Sequence, residues 1–188
     1  VGYWLQLPYF SLGKTLEGSA AEKAALLACH ALQLIAVVQL FVLALQLVFP
    51  RRWTVVTGAL AALVLLAGPF VWESGFSAQL PAGLAPYLDE RTGSTFPLFP
   101  YATFVLAGTV AGATLGRQAA RERHRRETRA GLVLLGLGLA LSLLLRGRVD
   151  FWKISPGYVL LRLALLLLLL RLVEAWASRG LPGARLLA

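Results

Sequence analysis

The chain has 188 residues, of which 58% are hydrophobic and only 14% are charged, with a formal charge of +9. A soluble domain carries about a quarter charged residues and about 45–50% apolar ones, so this composition excludes an ordinary soluble fold. It equally excludes disorder, which needs low hydrophobicity, and the single cysteine, Cys29, excludes an intrachain disulfide or a thiolate cluster.

The chain opens at Val1 and contains no Met. Its first segment, GYWLQLPYF, reads as the end of a preceding membrane element, so the chain is expected to be the C-terminal part of a longer protein. It carries no basic flank or small-residue cleavage site that would make it a signal peptide.

Five runs are apolar enough to span a bilayer, which takes about 20 residues as a helix. They cover about 24–49, 53–72, 99–116, 130–145 and 157–172. The expected fold class is therefore all-α, a polytopic integral membrane helical bundle with about five transmembrane helices in a single domain. Trp53 and Trp72 bracket the second run as interfacial rings should. Between residues 73 and 96 lies a polar stretch rich in Gly, Pro and Ser, read as a loop with short interfacial pieces. No run alternates over many strands, which argues against a barrel.

Basic residues collect at cytoplasmic membrane edges. Arg51 and Arg52, the run from Arg117 to Arg129, and the tail with Arg179 and Arg185 fall on one side under five spans. Glu73, Asp89, Glu90 and Arg91 fall on the other. This predicts a multi-pass membrane protein with its basic loops on the cytoplasmic side, in contact with lipid and able to form homo-oligomers. One loop opposes the bias: Arg146, Arg148 and Lys153 flank Asp150 on the outer side, which reflects either a weak bias at a short loop or basic groups that serve an anionic substrate or pair with buried acids. The run 117–129 reads as an inside loop able to meet anionic lipid heads or cofactor phosphates. It lacks the stacking aromatics of a nucleic-acid site, so no nucleic-acid partner is expected.

Several residues stand out. His30 and Gln33, three apart in the first run, share a helix face and suggest a polar lining or interhelical hydrogen bonds. No second ligand stands near His30, so no metal site is expected. Gly108, Gly112 and Gly116 place three glycines on one face, a packing signal. Pro97 and Pro100 remove backbone donors before the third span. Irregular backbone at membrane depth is tolerated where protein or a wet cavity satisfies it. Arg162, one turn into the fifth span, either snorkels or lines a polar cavity.

Two strings and a helix start carry a resemblance. The segment GSTFPLFPY (93–101), followed by a Gly-rich helix ending at Gly116-Arg117, resembles the S-F-P-L-F-P-W segment of bacterial relatives of heparan-alpha-glucosaminide N-acetyltransferase. The segment DFWKISPGYVLLR (150–162) resembles their F-x-K-x-S-P-x-Y-x-L-x-R segment, and ALQLI (31–35) is similar to their V-L-Q-x-I helix. The resemblance covers most of residues 1–173. It implies a membrane acyltransferase of the bacterial cytoplasmic (inner) membrane that takes an acetyl or similar group from acyl-CoA and passes it to an envelope sugar or glycolipid. It also implies a catalytic histidine and an Arg/Asp-rich first helix in an N-terminal region, patterns this chain does not show, so no catalytic residue is assigned and His30 is not given that role. By the same resemblance Ser94, Phe96, Pro97 and Pro100 line the non-cytoplasmic side of a pocket. Lys153, Ser155, Tyr158 and Arg162 form its second part, with Lys153 or Arg162 placed to hold a negative group or an acyl oxyanion. With His30 and Gln33 these are the candidate pocket residues. The alternative is a transporter or lipid-handling membrane protein, for which an internal repeat would speak; none is seen.

Overall fold

The computed structural model describes residues 11–19, 26–81, 83–91, 93–116 and 120–178. Among these, the regular elements are all helical, as a backbone in hydrocarbon requires if it is to satisfy its own polar groups. They are α1 (Leu12–Glu17), α2 (Ala31–Val48), α3 (Trp53–Ser74), two short 3-10 turns (Phe76–Gln79 and Ala85–Tyr87), α4 (Leu98–Leu115), α5 (Ala120–Leu144) and α6 (Pro156–Ser178). By length and composition four stretches suffice to cross a membrane: α2, α3, α4 and residues Glu122–Leu144 of α5. The remaining long helix, α6, covers the residues of the fifth expected span, but it holds Arg162, Arg171 and Glu174 and is not among those four. Large apolar side chains are widely exposed, among them Leu47, Val55, Phe70 and Leu144. On a soluble protein such patches would need a partner; on membrane-spanning helices lipid covers them.

The chain divides into two compact units, Val1–Val110 and Ala111–Ala188. In the first, Leu34, Val38 and Val42 recur at helical spacing along α2. They pack with Ala61 and Val64 of α3 and Ala102 and Leu106 of α4. Thr103 adds a hydrogen bond from its hydroxyl to the Ala61 carbonyl, at 3.3 Å. α3 ends at Gly75, whose φ of 66° is the left-handed conformation common just past a helix C-terminus. A Cβ there would also lie 2.9 Å from Nη1 of Arg91.

In the second unit α5 and α6 form a hairpin. Its connection is tied by Asp150: the carbonyl accepts from Ile154 and Ser155 N–H groups, both at 3.1 Å, and Oδ1 accepts from Trp152 N at 3.0 Å. Pro156 then starts α6, where its missing N–H removes no helical bond. The hairpin closes through small residues. A Cβ on Gly157 would lie 2.7 Å from Ser142 N and 2.8 Å from Gly138 O, and one on Gly131 would lie 2.9 Å from Leu168 Cδ2.

Three expectations need correction. The first span does not run unbroken from 24: the chain is helical at Leu26 and Leu27, non-helical from Ala28 to His30, and α2 begins at Ala31. Residues 24 and 25, like the opening GYWLQLPYF and the tail from 179, lie outside the described residues. The fourth span does not begin at 130. The basic run is helical from Ala120 and is continuous with it, because Arg, Glu and Ala are good helix formers and Glu122 pairs with Arg126 one turn on, at 2.9 Å. Within α4 the backbone is helical beyond Phe99, whose φ of −99° and ψ of 118° are extended, as the residue before a proline prefers. Finally, Gly108 and Gly112 do not mark a packed face, since a Cβ at either would meet nothing within 4 Å.

Candidate functional site

The first group of candidate residues is built where the 94–97 segment meets the start of α2. Cys29 donates its backbone N–H to Ser94 Oγ at 2.9 Å. Its carbonyl accepts from the Thr95 and Phe96 N–H groups at 3.2 and 3.1 Å. These bonds take the backbone groups that a helix through Cys29 would use, which is why α2 starts late. His30 is therefore not a side chain within a span. It occupies the N-cap of α2 in extended conformation, and its Nδ1 is paired with Thr95 Oγ1 at 2.9 Å. Gln33 is buried in the first turn, 5% exposed, and its side-chain Nε2 has no hydrogen-bond partner. Ser94, Pro97 and Pro100 are buried. Phe96 is partly exposed and meets Tyr101 edge to face, ring centroids 5.2 Å apart. The structure thus joins His30 to the 94–96 segment, with Gln33 one turn along the same helix.

The loop that delivers this segment is organised from within. Asp89 is fully buried. One carboxylate oxygen accepts from the Ser77 hydroxyl, the other from Arg91 N at 3.0 Å. The Arg91 side chain reaches back to the Trp72 carbonyl at 2.7 Å. Trp72, expected as an interfacial marker, donates its indole N–H to the Phe99 carbonyl at 2.8 Å. Beside Phe99 lies an apolar cavity of about 180 Å³, lined by residues that include Val38, Phe41, Leu60, Val64 and Leu106. It offers room for a short hydrocarbon group and no polar chemistry.

Burial pushes the Cys29 thiol up to about 11, and its S–H donates to the Phe96 carbonyl at 3.2 Å. Its thiolate at neutral pH is then about a hundredfold scarcer than for an ordinary thiol. Maleimide labelling of the folded protein is expected to be at least that much slower than after denaturation. Equal rates would contradict this burial.

The second group lies in the second unit. Ser155 is buried and its Oγ has no hydrogen-bond partner. With Ser142 and Arg146 it lines a cavity of about 450 Å³ at the α5–α6 connection. Lys153 and Arg162 are exposed. Arg162 donates to the Tyr158 hydroxyl, and its guanidinium carbon sits 4.1 Å from the centroid of that ring. Tyr158 in turn packs with Phe151 and Trp152, centroids 5.1 and 5.3 Å away. Stacking on an aromatic face offsets part of the cost of holding a cation at membrane depth.

Two further features lie in the second unit. An open cleft of about 410 Å³ is lined by His124, Arg125, Thr128, Arg129 and Arg171. Next to it His124, Glu127 and Glu174 converge, their nearest ligand-type atoms all within 4.8 Å of one another. The basic run pointed to the first. The second was not legible, because Glu174 is remote in sequence and comes close only through the hairpin.

The family model described as heparan-alpha-glucosaminide N-acetyltransferase, catalytic, matches residues 20–148. No curated protein and no solved structure gives a significant match.

Proposed function

The chain belongs to the heparan-alpha-glucosaminide N-acetyltransferase catalytic family, and from that premise we propose that it is a membrane-embedded acyltransferase. It transfers an acetyl or similar acyl group from acyl-CoA to an envelope sugar or glycolipid in the bacterial inner membrane. The observation that carries this reading is the family match over a chain with four helices able to cross a membrane.

The donor set of the basic cleft fits a phosphorylated cofactor. Arg125, Arg129 and Arg171 are groups that hold phosphates by charge-assisted hydrogen bonds, and the Thr128 hydroxyl beside them donates to the His124 carbonyl at 2.9 Å. Acyl-CoA would supply the activated thioester. On the other half of the second unit, Arg162 and Lys153 hold a negative group of the acceptor or the oxyanion that develops on the acyl carbon. Tyr158 fixes the Arg162 side chain for that task.

The test is transfer of labelled acetyl from acetyl-CoA to envelope carbohydrate, in membranes containing the full-length protein. Arg162→Gln is expected to lower the rate about 100-fold, the scale of a lost oxyanion donor, while leaving helicity and elution volume unchanged. Full transfer by the variant would remove Arg162 from the site. No transfer by the parent protein with any acyl-CoA would remove the function.

A further inference from the structure

We propose that His124, Glu127 and Glu174 form a site for a divalent transition metal, best suited to zinc, that staples α5 to α6. His124 and Glu127 are three residues apart in the first turns of α5 and share a face. The antiparallel hairpin brings Glu174, near the end of α6, against them. Arg123 engages one oxygen of each carboxylate. It lies 3.2 Å from Glu174 Oε1 and 3.7 Å from Glu127 Oε1. The opposite oxygens both turn toward His124, whose Nδ1 is 3.0 Å from Glu174 Oε2 and 3.8 Å from Glu127 Oε2.

Those three atoms share a second property. His124 Nδ1, Glu127 Oε2 and Glu174 Oε2 are all buried, and none makes a hydrogen bond of acceptable geometry. The Glu127 side chain is 2% exposed. A buried carboxylate oxygen left unmet is costly, and Arg123 faces the far oxygens of both acids, donating from Nη2 to Glu174 while its own Nε makes no hydrogen bond among the described residues. Zinc binds imidazole nitrogen and carboxylate oxygen at about 2.0–2.2 Å, which places tetrahedral ligands roughly 3.3–3.5 Å apart. Two of the separations, 3.0 and 3.8 Å, bracket that spacing, and all three atoms lie within 4.8 Å of one another, so side-chain rotations would close the set.

Charge selects the ion. Two carboxylates outweigh Arg123, which favours a cation. Arg125, Arg129 and Arg171 line the adjoining cleft and oppose one held by electrostatics alone. An ion with strong preference for imidazole meets both conditions, whereas magnesium, which prefers oxygen and retains its water, does not.

The experiment is zinc titration of the tag-free full chain in detergent, against a chromophoric chelator, with thermal melting alongside. One zinc per chain is expected, with a raised melting temperature. His124→Gln and the partly exposed Glu174→Gln are expected to lose at least about tenfold in affinity and to lose the zinc-dependent melting shift. His30→Gln, the control for the other described histidine, should retain both. Circular dichroism without zinc reports whether each variant is folded. A parent chain that binds no zinc, or a folded His124→Gln that binds it equally, overturns the site and leaves His124 as an ion-pair partner of Glu174. None of these readouts depends on acyl transfer.

Discussion

Replacing Asp89 with alanine is expected to destabilise the first unit by about 2–4 kcal/mol, the scale for removing one partner of a buried, hydrogen-bonded charge. The carboxylate is fully buried and accepts from Ser77 and from the Arg91 backbone. It also faces the Arg91 guanidinium at 3.7 Å. The lower part of the range is set by Arg91, which is half exposed and can turn to water when its partner is lost. Ser77 cannot, since it is buried with the acid. The measurement is thermal unfolding together with limited proteolysis between Gly75 and Pro97. The loop should become cleavable, and because it carries Ser94 to Cys29 and Thr95 to His30, modification of His30 by an imidazole-specific reagent should accelerate. An unchanged melting temperature with an uncleaved loop would show that Asp89 does not organise it.

Replacing Gly157 with alanine is expected to cost about 1–3 kcal/mol, the usual penalty for overpacking, and leucine more. The added Cβ would meet backbone at Ser142 N and Gly138 O, 2.7 and 2.8 Å away, and backbone cannot rotate aside as a long side chain can. α6 would have to withdraw from α5, separating Gly138 from Gly157 and opening the buried Ser155 position beside them. Thermal melting and gel-filtration profile are the readouts. Gly108→Ala is the control: its Cβ would meet nothing within 4 Å, and alanine favours helix by about 0.8–1.0 kcal/mol over glycine, so that variant should match the parent chain or exceed it. If both variants behaved alike, the close approach at Gly157 would carry no energetic weight.

The contrast between these glycines shows how far pattern reaches. Gly108, Gly112 and Gly116 have the spacing of a packing face, yet the close approaches lie at Gly131, Gly138 and Gly157, which have no comparable repeat. Spacing reports which residues share a helix face. It does not report whether another helix comes to that face. The break at Cys29 is a second case. The run AALLACHALQLIAVV carries no charged residue and reads as uninterrupted helix. Its backbone is instead diverted to Ser94, Thr95 and Phe96, more than sixty residues away. That pairing moved His30 from a lipid-depth position to a helix cap.

Composition and run length by themselves determined the all-α membrane class and the approximate place of five long helices. They could do so because hydrocarbon thickness and backbone satisfaction act on every residue of a span at once. They also placed Arg162 and Tyr158 one helical turn apart, a local relation that survives in the fold. Only the tertiary structure decided where α2 starts, that Asp89 is the centre of the 75–97 loop, and that Glu174 meets His124 and Glu127. Each of these depends on one or two long-range contacts. Such contacts arise from how helices cross and loops return, and they leave no periodic trace in the chain.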